Sequence, residues 1–266
     1  VYSPLHITLK YIRYWLIAEN GRGHGIHSPF VFDFVKKVLR SGSLNASWNS
    51  IETIRKQLLN DDRLLEVEDY GAGSSAGFAK QRRIQQIASR SLKSSKYARL
   101  LCRLVQFTEA RNVIELGTSL GITTAYLAVA HSQTKVVSFE GAASVSSIAR
   151  ENFRKLELHN IEVVDGPFDK TIPESLNNMK EMPDFIFIDG NHTYEATLRY
   201  FEWFLPRVNE NTVMVFDDIH WSKGMEQAWQ KIAHHEKVTL SIDLFFIGII
   251  FFRKNQWVPQ HFTIRY

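Results

Sequence analysis

Five short apolar runs, separated by helix-length segments, dominate the chain from Asn112 onward and leave few folds open to it. They are Val113-Ile114-Glu115-Leu116, Val136-Val137-Ser138-Phe139, Ile161-Glu162-Val163-Val164, Phe185-Ile186-Phe187-Ile188 and Val213-Met214-Val215-Phe216. The last two are almost wholly apolar, as central strands covered by helices on both faces must be. Strand and helix alternating in this way predict a parallel sheet with right-handed crossovers. The end of the chain breaks the pattern. After a helix around Met225 to His234, the stretches Val238 to Leu244 and Phe246 to Arg253 follow with little between them. Two strands so closely connected pair antiparallel. The expected fold class is therefore α/β: a doubly wound, seven-stranded, mostly parallel, Rossmann-like sheet with an antiparallel C-terminal strand and an N-terminal helical region.

The division expected along the chain is a helical region over 1–95 and an α/β domain over 96–266. Helices are expected from Pro4 to Glu19, from Ser28-Pro29 to Arg40, from Trp48 to Leu59 and from Tyr97 to Phe107. Ser28-Pro29 supplies an N-cap followed by proline at the first helical position. A loop rich in Gly71, Gly73, Ser74, Ser75 and Gly77 lies between the third and fourth. The helical region is expected to serve as a lid, around His24-Gly25-Ile26-His27-Ser28-Pro29-Phe30, or as the contact of a homodimer. Leu5 to Ala18 is apolar and aromatic but interrupted by Lys10 and Arg13, and it is too short to span a bilayer. It reads as a helix packed on the main domain, with an amphipathic surface anchor as the other reading.

With 44% hydrophobic and 23% charged residues, the 266-residue chain can bury a sizeable core. A net charge of +4 is too small to argue for a nucleic-acid partner. The basic run Lys80, Arg82, Arg83, Arg90, Lys93, Lys96, Arg99 and Arg103 reads as a solvated helical face. Cys102 is the single cysteine, so no intrachain disulfide can form, and a reducing cytoplasm fits.

The sharpest local motif is Glu115-Leu116-Gly117-Thr118-Ser119-Leu120-Gly121-Ile122-Thr123-Thr124, which leaves a strand, turns on glycines and enters a helix. Gly117 permits a tight turn and close ligand approach. A helix start beyond such a turn suits an anionic group, carboxylate or phosphate. Glu115 discriminates between them. A carboxylate two residues before the first glycine can hold an ammonium group and would repel a pyrophosphate, which speaks against a nicotinamide-dependent oxidoreductase. Phe139-Glu140-Gly141 ends the next run, where a carboxylate can accept both hydroxyls of a ribose.

These residues resemble the first motif of class I S-adenosylmethionine-dependent methyltransferases. The Glu-Leu-Gly-Thr-x-x-Gly-x-Thr-Thr form is similar to the catechol-type O-methyltransferase branch, with Ser119 where many members carry glycine. The resemblance covers roughly Asn112 to Arg253. It implies S-adenosylmethionine as cofactor, with Glu115 and Gly117 near its methionine part and Thr118, Ser119 and Thr123 at its carboxylate and backbone. Gly121 shapes the loop, and Glu140 and Gly141 meet the ribose. Asp165-Gly166-Pro167-Phe168 matches the adenine position, with Asp165 at the exocyclic amine, Gly166 beside it and Phe168 stacking or covering an edge.

A second acidic cluster follows. The fourth apolar run ends in Asp189-Gly190-Asn191-His192 and the fifth in Asp217-Asp218-Ile219-His220-Trp221. In a parallel sheet both ends lie on the ligand-binding edge. Three converging carboxylates need a proton or a cation, and a hard divalent ion such as Mg²⁺ is the natural solution. The resemblance extends to it: catechol-type members, and sugar O-methyltransferases with an Asp-Asp pair, carry acids at the places of Asp189, Asp217 and Asp218. These three are the candidate metal ligands, and Asp189 also borders the cofactor. Catechol-type members place a lysine base where His192 stands, so Asp189 and His192 are the candidate catalytic residues. One of the Asp217-Asp218 pair could instead cap the helix that follows. The implied reaction is O-methylation of a small hydroxylated acceptor. The alternatives are a methyltransferase acting on RNA or protein, or a non-catalytic module that only binds the cofactor. RNA N-methylating enzymes carry Asn or Asp followed by Pro-Pro and an aromatic after the fourth strand, and that motif is absent.

Overall fold

A computed structural model describes residues 1–19, 28–42, 45–67, 80–254 and 258–266. Along the chain come α1 (Pro4–Ile17), α2 (Pro29–Phe34, prolonged by a π turn over Val35–Leu39) and α3 (Ser47–Leu58). A hairpin of β1 (Leu64–Val67) and β2 (Lys80–Arg83) precedes α4 (Ile84–Ser91) and α5 (Ser95–Phe107). Strands and helices then alternate through β3 (Asn112–Leu116), α6 (Ile122–Ala128), β4 (Lys135–Glu140), α7 (Ala143–Lys155), β5 (Ile161–Asp165) and α8 (Phe168–Asn178). The alternation continues through β6 (Phe185–Ile188), α9 (Tyr194–Phe204), β7 (Val213–Asp217) and α10 (Lys223–Ala233). The last strands are β8 (Leu240–Asp243), β9 (Ile247–Phe251) and β10 (Gln260–Thr263).

These elements fall into two compact units. A continuous unit comprises Gly42–Glu181, and a split unit joins Val1–Ser41 to Met182–Tyr266. In the continuous unit β3, β4 and β5 run parallel, with Leu116 opposite Phe139 and Glu140 opposite Asp165. Parallel register brings the C-terminal ends of the three strands, with Glu115, Glu140 and Asp165, to one edge. Helix α5 buries Leu100, Leu101, Cys102, Leu104 and Val105 and packs on α6.

In the split unit β6 and β7 are parallel, β9 is antiparallel to both β7 and β8, and β10 runs parallel to β8. Every residue of β6, β7 and β9 is buried, which accounts for their unbroken apolar sequences. Side-chain hydroxyls cap the helices here: Ser3 on α1, Thr193 on α9 and Ser222 on α10 each accept a first-turn backbone N–H. Helix α1 packs Ile7, Tyr11, Tyr14 and Ala18 around Phe245. The Tyr14 hydroxyl donates to the Ile264 carbonyl. Glu19 joins the end of the chain by donating its N–H to Thr263 (2.7 Å) and accepting from Arg265 (3.1 Å).

The α/β class and the antiparallel ending agree with the sequence pattern. The strand count does not: apart from the β1–β2 pair, three strands in one unit and five in the other make eight among the described residues, one more than expected. The added strand is β10, whose Gln-His-Phe-Thr sequence carries no apolar run to announce it. The β1–β2 hairpin and α4 were also unforeseen. Residues 20–27 of the expected lid and the glycine-serine loop within 68–79 lie outside the described residues.

Candidate active site

One group of candidate residues belongs to the continuous unit and is built on the ends of β3, β4 and β5. Glu115, next to last in β3, is wholly buried. Its Oε2 accepts from the Thr124 hydroxyl (2.5 Å) and the Ser138 hydroxyl (2.6 Å), while Oε1 has no hydrogen-bond partner among the described residues. Burial pushes its pKa up to about 7, against the pull of the two hydroxyls. The loop behind it is tied to β4, because Gly117 and Thr118 both donate backbone N–H groups to the Phe139 carbonyl (2.9 and 3.1 Å). Gly117, Ser119 and Gly121 all take positive φ (105°, 47° and 81°). Ser119 therefore holds a conformation that suits glycine. Its hydroxyl lies 2.7 Å from that of Ser91 at the end of α4.

Glu140 closes β4 and organises the loop directly. One of its oxygens accepts from the Ser119 N–H (2.7 Å) and the other from the Ala142 N–H (3.0 Å). Burial raises its pKa, partly countered by these backbone donors. Gly141 follows, and Gly166 donates its N–H to the Glu140 carbonyl (2.8 Å). Asp165 is already engaged: Ser146 donates to it at 2.6 Å and Arg150 at 2.9 Å. Phe168 opens α8 half-buried, and Thr123 lies half-buried in the first turn of α6.

A second group belongs to the split unit. Ile188 and Phe216 are register partners, so the residues that follow, Asp189 and Asp217, leave adjacent strands at the same level. Asp189, His192 and Asp217 each present a ligand atom within 4.8 Å of the others. His192 Nε2 is 3.6 Å from Asp189 Oδ1, and Asp217 is buried. Two carboxylate oxygens and an imidazole nitrogen at this spacing match the donor set of a divalent cation. Asp218 stands outside the group. It adopts φ +52° and its carbonyl accepts from the Trp221 N–H, while the cap of α10 is Ser222.

His220 is engaged elsewhere. Its Nδ1 lies 2.9 Å from Glu226 and its Nε2 2.8 Å from Asp243, and its ring stacks on Phe245. Burial lowers its pKa, but Asp243 and then Glu226 outweigh that and raise it. Glu226 also accepts from Tyr2 (2.9 Å) and pairs with Lys10 (2.9 Å), which ties α1 to the cluster. Cys102 is buried, its thiol pushed up to about 11 by desolvation. Sequence reasoning gave no role to Ser138, Ser91 and Arg150, and Thr124 entered it only as the end of the glycine motif. Ser138 is a polar interruption in an otherwise apolar strand; Ser91 and Arg150 carry no such signal.

A family described as "Methyltransferase domain" matches residues 114–219, from the first glycine loop through the Asp217-Asp218 pair. Over that stretch the chain is similar to a methyltransferase domain. Catechol O-methyltransferase of Mycobacterium tuberculosis is 30% identical over 128 residues, covering 47% of this chain and 56% of that protein. Catechol O-methyltransferase of Niastella koreensis is 26% identical over 128 residues, covering 47% and 57%. The chain thus spans little more than half the length of these curated relatives. Among solved structures, an O-methyltransferase from Bacillus cereus in complex with SAH superposes with a TM-score of 0.57 at 22% identity, over 83% of this chain and 96% of that one. That likeness is one of fold alone, and it covers more of the chain than residues 114–219.

Proposed function

We propose that the protein is an S-adenosylmethionine-dependent O-methyltransferase acting on a small hydroxylated acceptor, assisted by a divalent cation. The observation that carries the proposal is the grouping of Asp189, His192 and Asp217 in a methyltransferase domain whose relatives are named for catechol methylation. The loop of Gly117, Thr118, Ser119 and Gly121, with Thr123, is assigned to the methionine part of the cofactor. Glu140 and Gly141 are assigned to the ribose, and Asp165, Gly166 and Phe168 to the adenine. Glu115, closed off from solvent, would act through the loop it underlies, with its unpartnered Oε1 as the one position left for a cation. No membrane-crossing helix occurs among the described residues. A cytoplasmic setting is part of the same proposal.

S-adenosylmethionine supplies a methyl group on a positively charged sulfur, already an excellent leaving arrangement. The acceptor C–O bond forms as the C–S bond breaks, and the electron pair returns to sulfur as a neutral thioether. What remains for the protein is alignment and removal of the hydroxyl proton. His192 is the candidate base where its imidazole does not ligate the cation; as a ligand it would leave that role to Asp189, the other candidate catalytic residue. Asp189, His192 and Asp217 would hold the cation, which lowers the acceptor's pKa and orients it.

Calorimetry with S-adenosylmethionine and its demethylated product tests the cofactor assignment. The same titrations with Mg²⁺ or Mn²⁺, followed by turnover on a panel of catechols and other hydroxylated compounds, test the rest. Binding of both nucleosides and metal-dependent methylation of a hydroxyl are expected. Failure to bind either nucleoside overturns the reading.

A further inference from the structure

Helix α1 is packed on one side only. Ile7, Tyr11, Tyr14 and Ala18 face the cluster around Phe245. On the other side Leu5, Leu9, Ile12 and Leu16 recur at helical spacing, with Trp15 and Ile17 beside them, and each of the six is more than half exposed. A surface helix ordinarily turns polar residues to water on the face opposite its core contacts. This one is apolar on both, and its exposed stripe therefore calls for an occupant.

The charges around the stripe indicate which occupant. Helix α1 contains no acidic residue. Lys10 is committed to Glu226, but Arg13 is exposed beside the stripe and Arg265 lies over the Trp15 ring at 4.5 Å. A second copy of the chain is a poor match. A helix of 14 residues is about 21 Å long, and one such face falls short of the roughly 800 Å² per partner of a standard interface. Two-fold pairing of the stripes would also set Arg13 near its own copy with no carboxylate on either helix to answer it. An anionic bilayer surface meets both features, since acyl chains accept the leucines, isoleucine and tryptophan while headgroups neutralise the arginines.

We propose that α1 is an interfacial helix that seats the protein on the surface of an anionic membrane. It lies in the plane of the interface and does not cross, with its Phe245-facing side kept on the protein. The inference is independent of the methyl-transfer reading, because no α1 residue is assigned to that chemistry.

Sedimentation of the full chain with lipid vesicles tests it. Vesicles of phosphatidylcholine alone are compared with vesicles containing about 30% phosphatidylglycerol, at low and high salt. The expected result is binding to the anionic vesicles that weakens with salt and is much poorer on phosphatidylcholine. Leu9→Asp with Leu16→Asp should lower the bound fraction about tenfold or more without changing the thermal midpoint, and Arg13→Glu should weaken anionic binding alone. Leu9→Ser with Leu16→Ser provides the same comparison should the aspartates disturb folding. The proposal is overturned by absence of binding to either vesicle or by equal binding of the double variants. It is equally overturned by a solution dimer that the same substitutions dissociate.

Discussion

The indole of Trp229 occupies the space that a side chain at Gly248 would need. A methyl group built on Gly248 would lie 2.5 Å from the Trp229 ring, inside any permitted carbon–carbon contact. Gly248 is in the fully buried strand β9 and Trp229 is in α10, where it also packs on Phe216. Neither the backbone of a central strand nor a buried indole can give way cheaply, so Gly248→Ala should cost about 1–3 kcal/mol by overpacking. The check is a lowered denaturant midpoint at unchanged m-value. Trp229→Phe in the same chain should recover part of the loss.

The glycine loop makes a paired prediction. Gly121 holds φ +81°, and a methyl there would lie 2.6 Å from Phe153 and 2.9 Å from Ala149. Strain and clash act together, so Gly121→Ala should lose at least about 2 kcal/mol and weaken cofactor binding with it. Ser119→Gly should behave oppositely. It relieves a left-handed serine at φ +47°, worth about 1–2 kcal/mol, and gives up one exposed hydroxyl contact to Ser91 worth about 1 kcal/mol. The net change should stay within about 1 kcal/mol. Thermal and denaturant unfolding of the two variants side by side decides it. Equal, large losses would show that the loop is held by side-chain contacts and not by its backbone.

The contrast between those residues shows what the sequence could and could not convey. Strands β6 and β7 were legible because burial on both faces demands continuous apolar residues, and β10 was not because a parallel edge strand needs no such run. The positions of Glu140, Asp189 and Asp217 followed from strand ends in a parallel sheet. What each carboxylate touches did not. Arg150, fifteen residues before Asp165, reaches it only through the crossover geometry of α7 and β5. The grouping of Asp189 and Asp217 with His192, and the positive φ of Asp218, are likewise not features that an Asp-Asp pair reveals.

Glu115 makes the stability of the fold depend on pH. Its pKa is raised by burial from 4.5 to about 7. A carboxyl raised on folding contributes its stability in full below the unfolded pKa and loses it as pH rises through the folded one. The loss falls between about pH 4.5 and 7, with little further change above, and amounts to roughly 3 kcal/mol for a shift of this size. Glu115→Gln keeps an oxygen for Thr124 and Ser138 and removes the titration. Denaturant unfolding near pH 5 and near pH 8 should show the parent losing stability relative to the variant. Parallel curves would mean that the carboxylate is ionised in the folded protein throughout and that a cation reaches Oε1.

His192 should decide which metal the Asp189–Asp217 pair accepts. An all-oxygen site suits Mg²⁺, which dehydrates reluctantly and takes oxygen donors, whereas an imidazole favours the borderline first-row ions. With His192 within 4.8 Å of both aspartates, Mn²⁺ should bind about tenfold or more tightly than Mg²⁺. His192→Asp should narrow that gap by weakening Mn²⁺, and Asp217→Asn should weaken both ions together. Direct titration of the full chain with each ion, followed for Mn²⁺ by its electron paramagnetic resonance, measures this without reference to turnover. Equal affinities in the parent and in His192→Asp would remove the imidazole from the ligand set and leave it as a base alone.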